Sequence, residues 1–165
     1  MHHENLWAPW RLAYIRSLEA DKSAITSSAP PVCFLCDAAK HQHDTAGGID
    51  RLILRTDARG SMLMNRYPYT TGHLLVAPVA HVASLNDLSS TDRAGLMELV
   101  AEAEQLVRDS VNPQGVNIGI NLGRAAGAGV PGHLHVHIIP RWNGDTNFMD
   151  VVGGVRVIPG ALEEV

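Results

Sequence analysis

The sequence predicts an α+β fold, a mostly antiparallel five-stranded sheet with one long helix packed on it, preceded by an N-terminal arm. Three observations carry this expectation. Short β-rich runs flank a single long helical period instead of alternating with several helices. That period has one apolar stripe, enough to cover one sheet face. Near the C-terminus, His133-Leu134-His135-Val136-His137 alternates imidazole with aliphatic side chains, the two-residue period of a strand with one apolar face.

Composition narrows the classes further. At 165 residues the chain is the size of one domain, and 45% hydrophobic residues supply an ample core. A net charge of -4 argues against broad electrostatic binding to nucleic acid or to an anionic membrane. The N-terminal residues lack a basic region followed by an apolar stretch, so no signal peptide is read there, and no apolar run approaches a membrane span. Two cysteines are too few for a disulfide scaffold. Their close spacing suggests a metal or redox pair in a reducing compartment, and a cytoplasmic location is expected.

The elements follow in order. Residues 1–31 read as an arm and linker, and 32–165 as the main domain. Pro9 suits the start of a short helix to about Ile15, and Ser23 to Pro31 has linker composition. After a loop from His41 to Gly48, Arg51–Arg55 and Ser61–Asn65 are strands, Tyr67–Gly72 is a turn, and His73–Pro78 is the third strand. Ser89-Ser90-Thr91-Asp92 offers a helix N-cap. Leu96, Leu99, Val100, Ala103, Leu106 and Val107 follow at helical spacing, best explained as core packing against the sheet. Asn112-Pro113 stops the helix, and Val116–Asn121 is the fourth strand. The glycine-rich segment Gly123–Gly132 leads directly into the histidine strand.

On that strand His133, His135 and His137 project from one face, and Leu134, Val136 and Ile138 from the other. Two chemistries suit such a histidine row: a three-histidine metal site with an open position, or nucleophilic and acid–base work on an anionic phosphate. The glycine loop tips the balance. Its backbone N–H groups can approach a ligand closely and form an anion-binding concavity, so phosphate fits better than a bare metal. Separately, Cys33-Phe34-Leu35-Cys36 has the spacing of a zinc knuckle and needs two further ligands, for which His41 and His43 are the local candidates.

His133 to Ile139 resembles the His-x-His-x-His-aliphatic-aliphatic signature of the histidine triad (HIT) nucleotide hydrolases and transferases. The likeness extends from Leu6-Trp7-Ala8-Pro9-Trp10 through Asn65-Arg66-Tyr67-Pro68-Tyr69 to Pro140–Phe148, where the chain is similar to the bacterial diadenosine tetraphosphate phosphorylase-like subgroup. The resemblance implies that His135 attacks the α-phosphorus of an adenine nucleotide and forms a covalent histidine–AMP intermediate. His137 would stabilise charge at the transferring group, with His133 completing the triad. It implies Asn65 at the ribose hydroxyls, Leu63 lining the adenine pocket and Asn121 near the phosphates. The loop at Gly127, Ala128 and Gly129 departs from the commoner family pattern of glutamine and serine or threonine, so backbone N–H groups there would carry more of the phosphate binding. His73 reads as structural, because the resemblance gives it no role. For the cysteine pair, the resemblance, shared with galactose-1-phosphate uridylyltransferases, points to His81 and His133 as the remaining ligands of a structural zinc, in preference to His41 and His43.

The expected function is cleavage of dinucleoside polyphosphates such as diadenosine tetraphosphate, with inorganic phosphate as the favoured acceptor. A water-using hydrolase and an adenosine phosphoramidase are the alternatives within the family. A nucleotide-binding regulatory protein without significant turnover, or a metal-dependent hydrolase using all three histidines, stands outside it. No organic cofactor is expected, and a homodimer or tetramer is implied by resemblance. Trp7, Trp10 and Trp142 read as interface residues. Arg141, Asp145 and Asn147 either touch the second nucleotide or form a turn.

Overall fold

A computed structural model describes residues 33–41 and 52–145. The N-terminal arm with Trp7 and Trp10, the helix expected at Pro9, and the residues His43, Asn147 and Phe148 lie outside the described residues. In chain order the elements are α1 (Phe34–Lys40), β1 (Ile53–Asp57), β2 (Gly60–Met64), β3 (Leu74–Ala77), α2 (Ser90–Val111), β4 (Gly115–Ile120) and β5 (Val136–Arg141), with short 3-10 turns at Leu85–Asp87 and Arg124–Ala126. The strands form one sheet in the order β1-β2-β3-β5-β4, every neighbouring pair antiparallel. The α+β fold with its five-stranded sheet is therefore as expected.

Register sorts the side chains onto two faces. Met62, Val76, Val136 and Ile120 lie across from one another along one row. Since neighbouring strand residues alternate faces, the next row, Leu63, Leu75, His137 and Gly119, projects oppositely. The first face packs on α2. Met62, Leu74, Val76, Leu134, Val136 and Ile138 merge there with Leu96, Leu99, Val100, Ala103 and Val107 into the main core. The aliphatic side of the histidine run is thus buried as expected.

The helix begins where the sequence places its cap. The Ser89 hydroxyl accepts the Asp92 N–H at 3.1 Å, and the chain leaves the helix at Asn112, whose φ of 44° is left-handed, before Pro113. Leu106, expected in the stripe, is 39% exposed. At 100° per residue it stands about 75° round the helix from the middle of the buried stripe, at its margin. Arg59 of the β1–β2 turn reaches Asp57 at 2.7 Å and Glu102 of α2 at 2.7 Å, tying the hairpin to the helix. Gly60 starts β2 because nothing larger fits: a Cβ there would sit 2.1 Å from the Ala77 carbonyl oxygen.

Two features differ from expectation. The histidine strand begins at Val136, not His133. The cause is that the Leu134 N–H donates to the Val82 carbonyl at 2.6 Å, in the connection after β3 and outside the sheet ladder. The second is α1, a seven-residue helix carrying the cysteines. Too short to hold itself, it rests on Leu35 and Ala38, which join Leu63 and Ala77 in a second apolar cluster on the sheet face away from α2. Among the described residues no helix is long and apolar enough to cross a membrane.

Candidate active site and metal cluster

Each triad ring is oriented by a different partner, and two of those partners are carbonyls that place a proton. His135 Nδ1 lies 2.8 Å from the His133 carbonyl oxygen. A carbonyl only accepts, so Nδ1 carries the hydrogen and Nε2 keeps its lone pair. His133 Nε2 lies 3.0 Å from the Pro78 carbonyl oxygen, which puts that ring's hydrogen on Nε2 and leaves Nδ1 as the lone-pair nitrogen. His137 Nδ1 faces His73 Nε2 at 3.0 Å. Burial depresses the His135 pKa below the ordinary imidazole value, opposed by the hydrogen bond to the His133 carbonyl. His133 is lowered likewise, by burial first, with the Pro78 carbonyl pulling the other way and the neighbouring His81 and His135 rings adding to the depression. A neutral His135 with a free Nε2 lone pair is the state a nucleophilic imidazole requires.

His73, read as structural, is buried, but its contact with the triad was not anticipated from the sequence. It is 1% exposed, stacks on Tyr69 with centroids 5.0 Å apart, and contacts the third triad histidine. The pairing of β3 with β5 brings them together, and no local motif announces that pairing. Asn65, expected at ribose hydroxyls, is engaged at both ends of its amide. Its Oδ1 accepts the Tyr67 N–H at 2.9 Å and its Nδ2 donates to His73 Nδ1 at 3.2 Å. Leu63, expected to line an adenine pocket, is 3% exposed and is covered by Leu35 and Ala38 of α1.

Asn121 follows β4 on the face of Gly119 and His137. Its Nδ2 lies 3.8 Å from where a Cβ on Gly127 would stand, so it borders the glycine loop. The loop revises one expectation. The Gly127 N–H donates to the Arg124 carbonyl and the Ala128 N–H to the Gly123 carbonyl. Both amides close the loop's own turns, with Gly127 in the left-handed region at φ 88°. Of the three expected backbone donors, two are thus spent within the loop. Arg141 reaches Asp145 Oδ2 at 2.7 Å and Asn117 Oδ1 at 2.9 Å, which favours the turn-forming reading of that pair.

A second cluster lies beside the first. The donor atoms of Cys33, Cys36, His81 and His133 all fall within 4.8 Å of one another. His133 Nδ1 is 3.4 Å from each sulfur, and His81 Nδ1 is 3.1 Å from Cys36 Sγ. A tetrahedral ion with bonds of about 2.0 to 2.3 Å needs its donors roughly 3.3 to 3.8 Å apart. The tautomer agrees, since His133 turns its lone-pair nitrogen toward the sulfurs. Of the local rival pair, His41 lies 3.5 Å from Asp37 and is not among these donors, while His43 lies outside the described residues. Burial raises the Cys36 pKa, and the adjacent Cys33 thiol adds to the rise; a cation among these donors would reverse that balance.

Comparison with known proteins agrees with this geometry. The HIT domain model matches residues 47–144. AP-4-A phosphorylase of Mycobacterium tuberculosis is 35% identical over 164 residues, covering 98% of this chain and 80% of that protein. The asymmetrical bis(5'-nucleosyl)-tetraphosphatase of Schizosaccharomyces pombe is 38% identical over 89 residues, 54% of this chain and 48% of that one. Among solved structures, a zinc-bound histidine triad family protein from Mycobacterium smegmatis superposes with a TM-score of 0.53 at 32% identity, covering 59% of this chain and 70% of the other. The alternating histidines, the sheet that carries them and these likenesses lead to one assignment: the chain belongs to the histidine triad, or HIT, family of nucleotide-processing enzymes.

Proposed function

We propose that the protein cleaves dinucleoside polyphosphates such as diadenosine tetraphosphate and transfers the adenylyl group to inorganic phosphate. The observation that carries this reading is the 2.8 Å hydrogen bond from His135 Nδ1 to the His133 carbonyl, which leaves Nε2 as the reacting atom. Nε2 attacks the α-phosphorus, the bond from phosphorus to the bridging oxygen breaks, and ATP leaves with that electron pair. The Nε2–H of His137 donates a hydrogen bond to the charge that builds on the departing oxygens. An oxygen of inorganic phosphate then attacks the same phosphorus, the phosphorus–nitrogen bond breaks, and ADP forms. Splitting the displacement in two replaces one high barrier by two lower ones. The likeness to a phosphorylase over nearly the whole chain favours phosphate over water as the acceptor.

Cys33, Cys36, His81 and His133 would hold zinc, a four-ligand ion that braces α1 against the triad and leaves no position open for chemistry. Stoichiometric zinc by elemental analysis is the expected result.

The test is incubation with diadenosine tetraphosphate, with and without inorganic phosphate. ADP plus ATP, formed only when phosphate is present, is the expected outcome. AMP plus ATP, or ADP alone, would make the protein a hydrolase, and tight nucleotide binding without product would make it a binding protein. Radiolabelled AMP trapped on His135 in acid-sensitive linkage checks the intermediate.

A further inference from the structure

We infer that Cys33 and Cys36 are an oxidisable dithiol site: a peroxide joins them in a reversible disulfide and takes their sulfurs from the metal. The metal and kinetic consequences rest on the zinc site and the function proposed above; formation of the disulfide rests on neither.

The two cysteines are the only ones in the chain, and α1 sets their separation. Cys33 is its N-cap, and the Asp37 N–H donates to the Cys33 carbonyl at 3.0 Å, so the first turn closes on Cys33. Cα atoms three positions apart on a helix stand about 5 Å from each other, inside the roughly 4.4 to 6.8 Å that a disulfide spans. Both side chains turn the same way. Each sulfur lies 3.4 Å from the same nitrogen, His133 Nδ1, and the two lie within 4.8 Å of one another. The bond can therefore close by turning the two side chains, with the helix left in place.

The site is open on one side. Both cysteines are partly exposed, and Cys36 Sγ meets the exposed His81 ring, with Nδ1 at 3.1 Å. The opposite side is closed by His133, which is fully buried. Cys36 is thus the sulfur a small oxidant meets first. Its thiolate attacks one peroxide oxygen, the O–O bond breaks, and a sulfenic acid forms as hydroxide departs. The Cys33 thiolate attacks that sulfur, the S–O bond breaks, and a second hydroxide departs. Two protons from solvent convert the hydroxides to water. The sulfurs together lose the two electrons that the peroxide gains, and a dithiol reductant reverses the bond by exchange.

The effect reaches the triad through His133. Disulfide sulfurs are no longer anionic donors, so two imidazoles alone face the cation and it departs. His133 keeps the Pro78 carbonyl at Nε2 but loses its partners at Nδ1. Its own carbonyl is the group that orients His135.

The experiment titrates zinc-loaded, full-length wild-type protein with hydrogen peroxide. Both thiols should disappear together, the intact mass should fall by two hydrogens, and a chromophoric indicator should register the zinc set free. Dithiothreitol with added zinc should restore the starting mass and metal content. With diadenosine tetraphosphate, the oxidised protein should lose roughly tenfold in kcat while KM changes little. In Cys33→Ser, which lacks the second sulfur, dimedone should trap a sulfenic acid on Cys36. A disulfide between two chains, sulfinic or sulfonic acid on either cysteine without a disulfide, or two thiols persisting in excess peroxide would overturn the inference. So would a disulfide that forms while zinc stays bound. A protein that takes up no zinc yet forms the disulfide counts against the metal site and leaves the dithiol site standing. Absence of turnover before oxidation, with mass and zinc release as expected, counts against the proposed function alone.

Discussion

Replacing Leu35 by Ala should weaken zinc binding while sparing the body of the fold. Leu35 is fully buried and, with Ala38, is what seats α1 on Leu63 and Ala77. A seven-residue helix has no stability of its own, so Cys33 and Cys36 are presented to His81 and His133 only while α1 is docked. Truncation removes three carbons, about 2.4 kcal/mol of transfer free energy at roughly 0.8 kcal/mol each. A partly collapsed cavity brings the cost to about 3 kcal/mol, near the low end for buried leucines. If docking and metal binding are one event, that converts to about a hundredfold loss of affinity. The assay is competition with a chromophoric chelator, paired with urea denaturation. Leu96→Ala is the control. Leu96 lies in the main core against α2, so this variant should lose global stability by a similar amount yet keep its zinc affinity. A Leu35→Ala protein that binds zinc within threefold of wild type would refute the coupling between helix docking and the metal cluster.

Three further expectations are simpler. His135→Ala should lose about a thousandfold or more in kcat while nucleotide binding, followed by calorimetry, persists. Because burial holds His135 below the ordinary imidazole value of about 6.5, kcat/KM should be level at and above neutrality and fall only on an acid limb below 6.5; a limb centred higher would contradict the buried neutral ring. The same depression at His135 means the unfolded chain binds the proton more tightly, so this contribution to stability is present above about pH 6.5 and is lost as pH falls through the folded-state value; urea titrations across that range measure it. Gly60→Ala should destabilise by several kcal/mol in urea, since the new methyl would meet the Ala77 carbonyl oxygen at 2.1 Å.

What was legible in the sequence was whatever repeats locally. The alternation through Val136 and Ile138, the α2 stripe and the Ser89 cap are all set by residues within a few positions of one another, and each is found where the pattern puts it, save Leu106 at the stripe's margin. What was hidden depends on partners far away in the chain. His73 acquires its role only when β3 pairs with β5, 64 positions on. The start of β5 is decided by the Val82 carbonyl, which draws Leu134 out of the ladder. The helix α1 exists because Leu35 finds Leu63 and Ala77. The glycine loop misled for a different reason: glycine content signals that a backbone can approach a ligand, but Gly127 and Ala128 spend their N–H groups on the loop's own turns.

One histidine connects the two halves of the site. The His133 side chain faces the sulfurs of the candidate metal site, and its main-chain carbonyl holds the His135 hydrogen on Nδ1. The Pro78 carbonyl, on the opposite side of the ring, makes both roles compatible by claiming the Nε2 hydrogen. Any movement of His133 that follows loss of Cys33 or Cys36 would therefore reach His135, the proposed nucleophile, through a peptide carbonyl. His137 is held separately, by His73 just before β3, and meets His135 ring edge to ring face with centroids 5.1 Å apart. Three identical side chains at alternate positions thus differ in chemistry because each meets different partners: the Pro78 carbonyl and two thiols at His133, the His133 carbonyl at His135, and the His73 imidazole at His137.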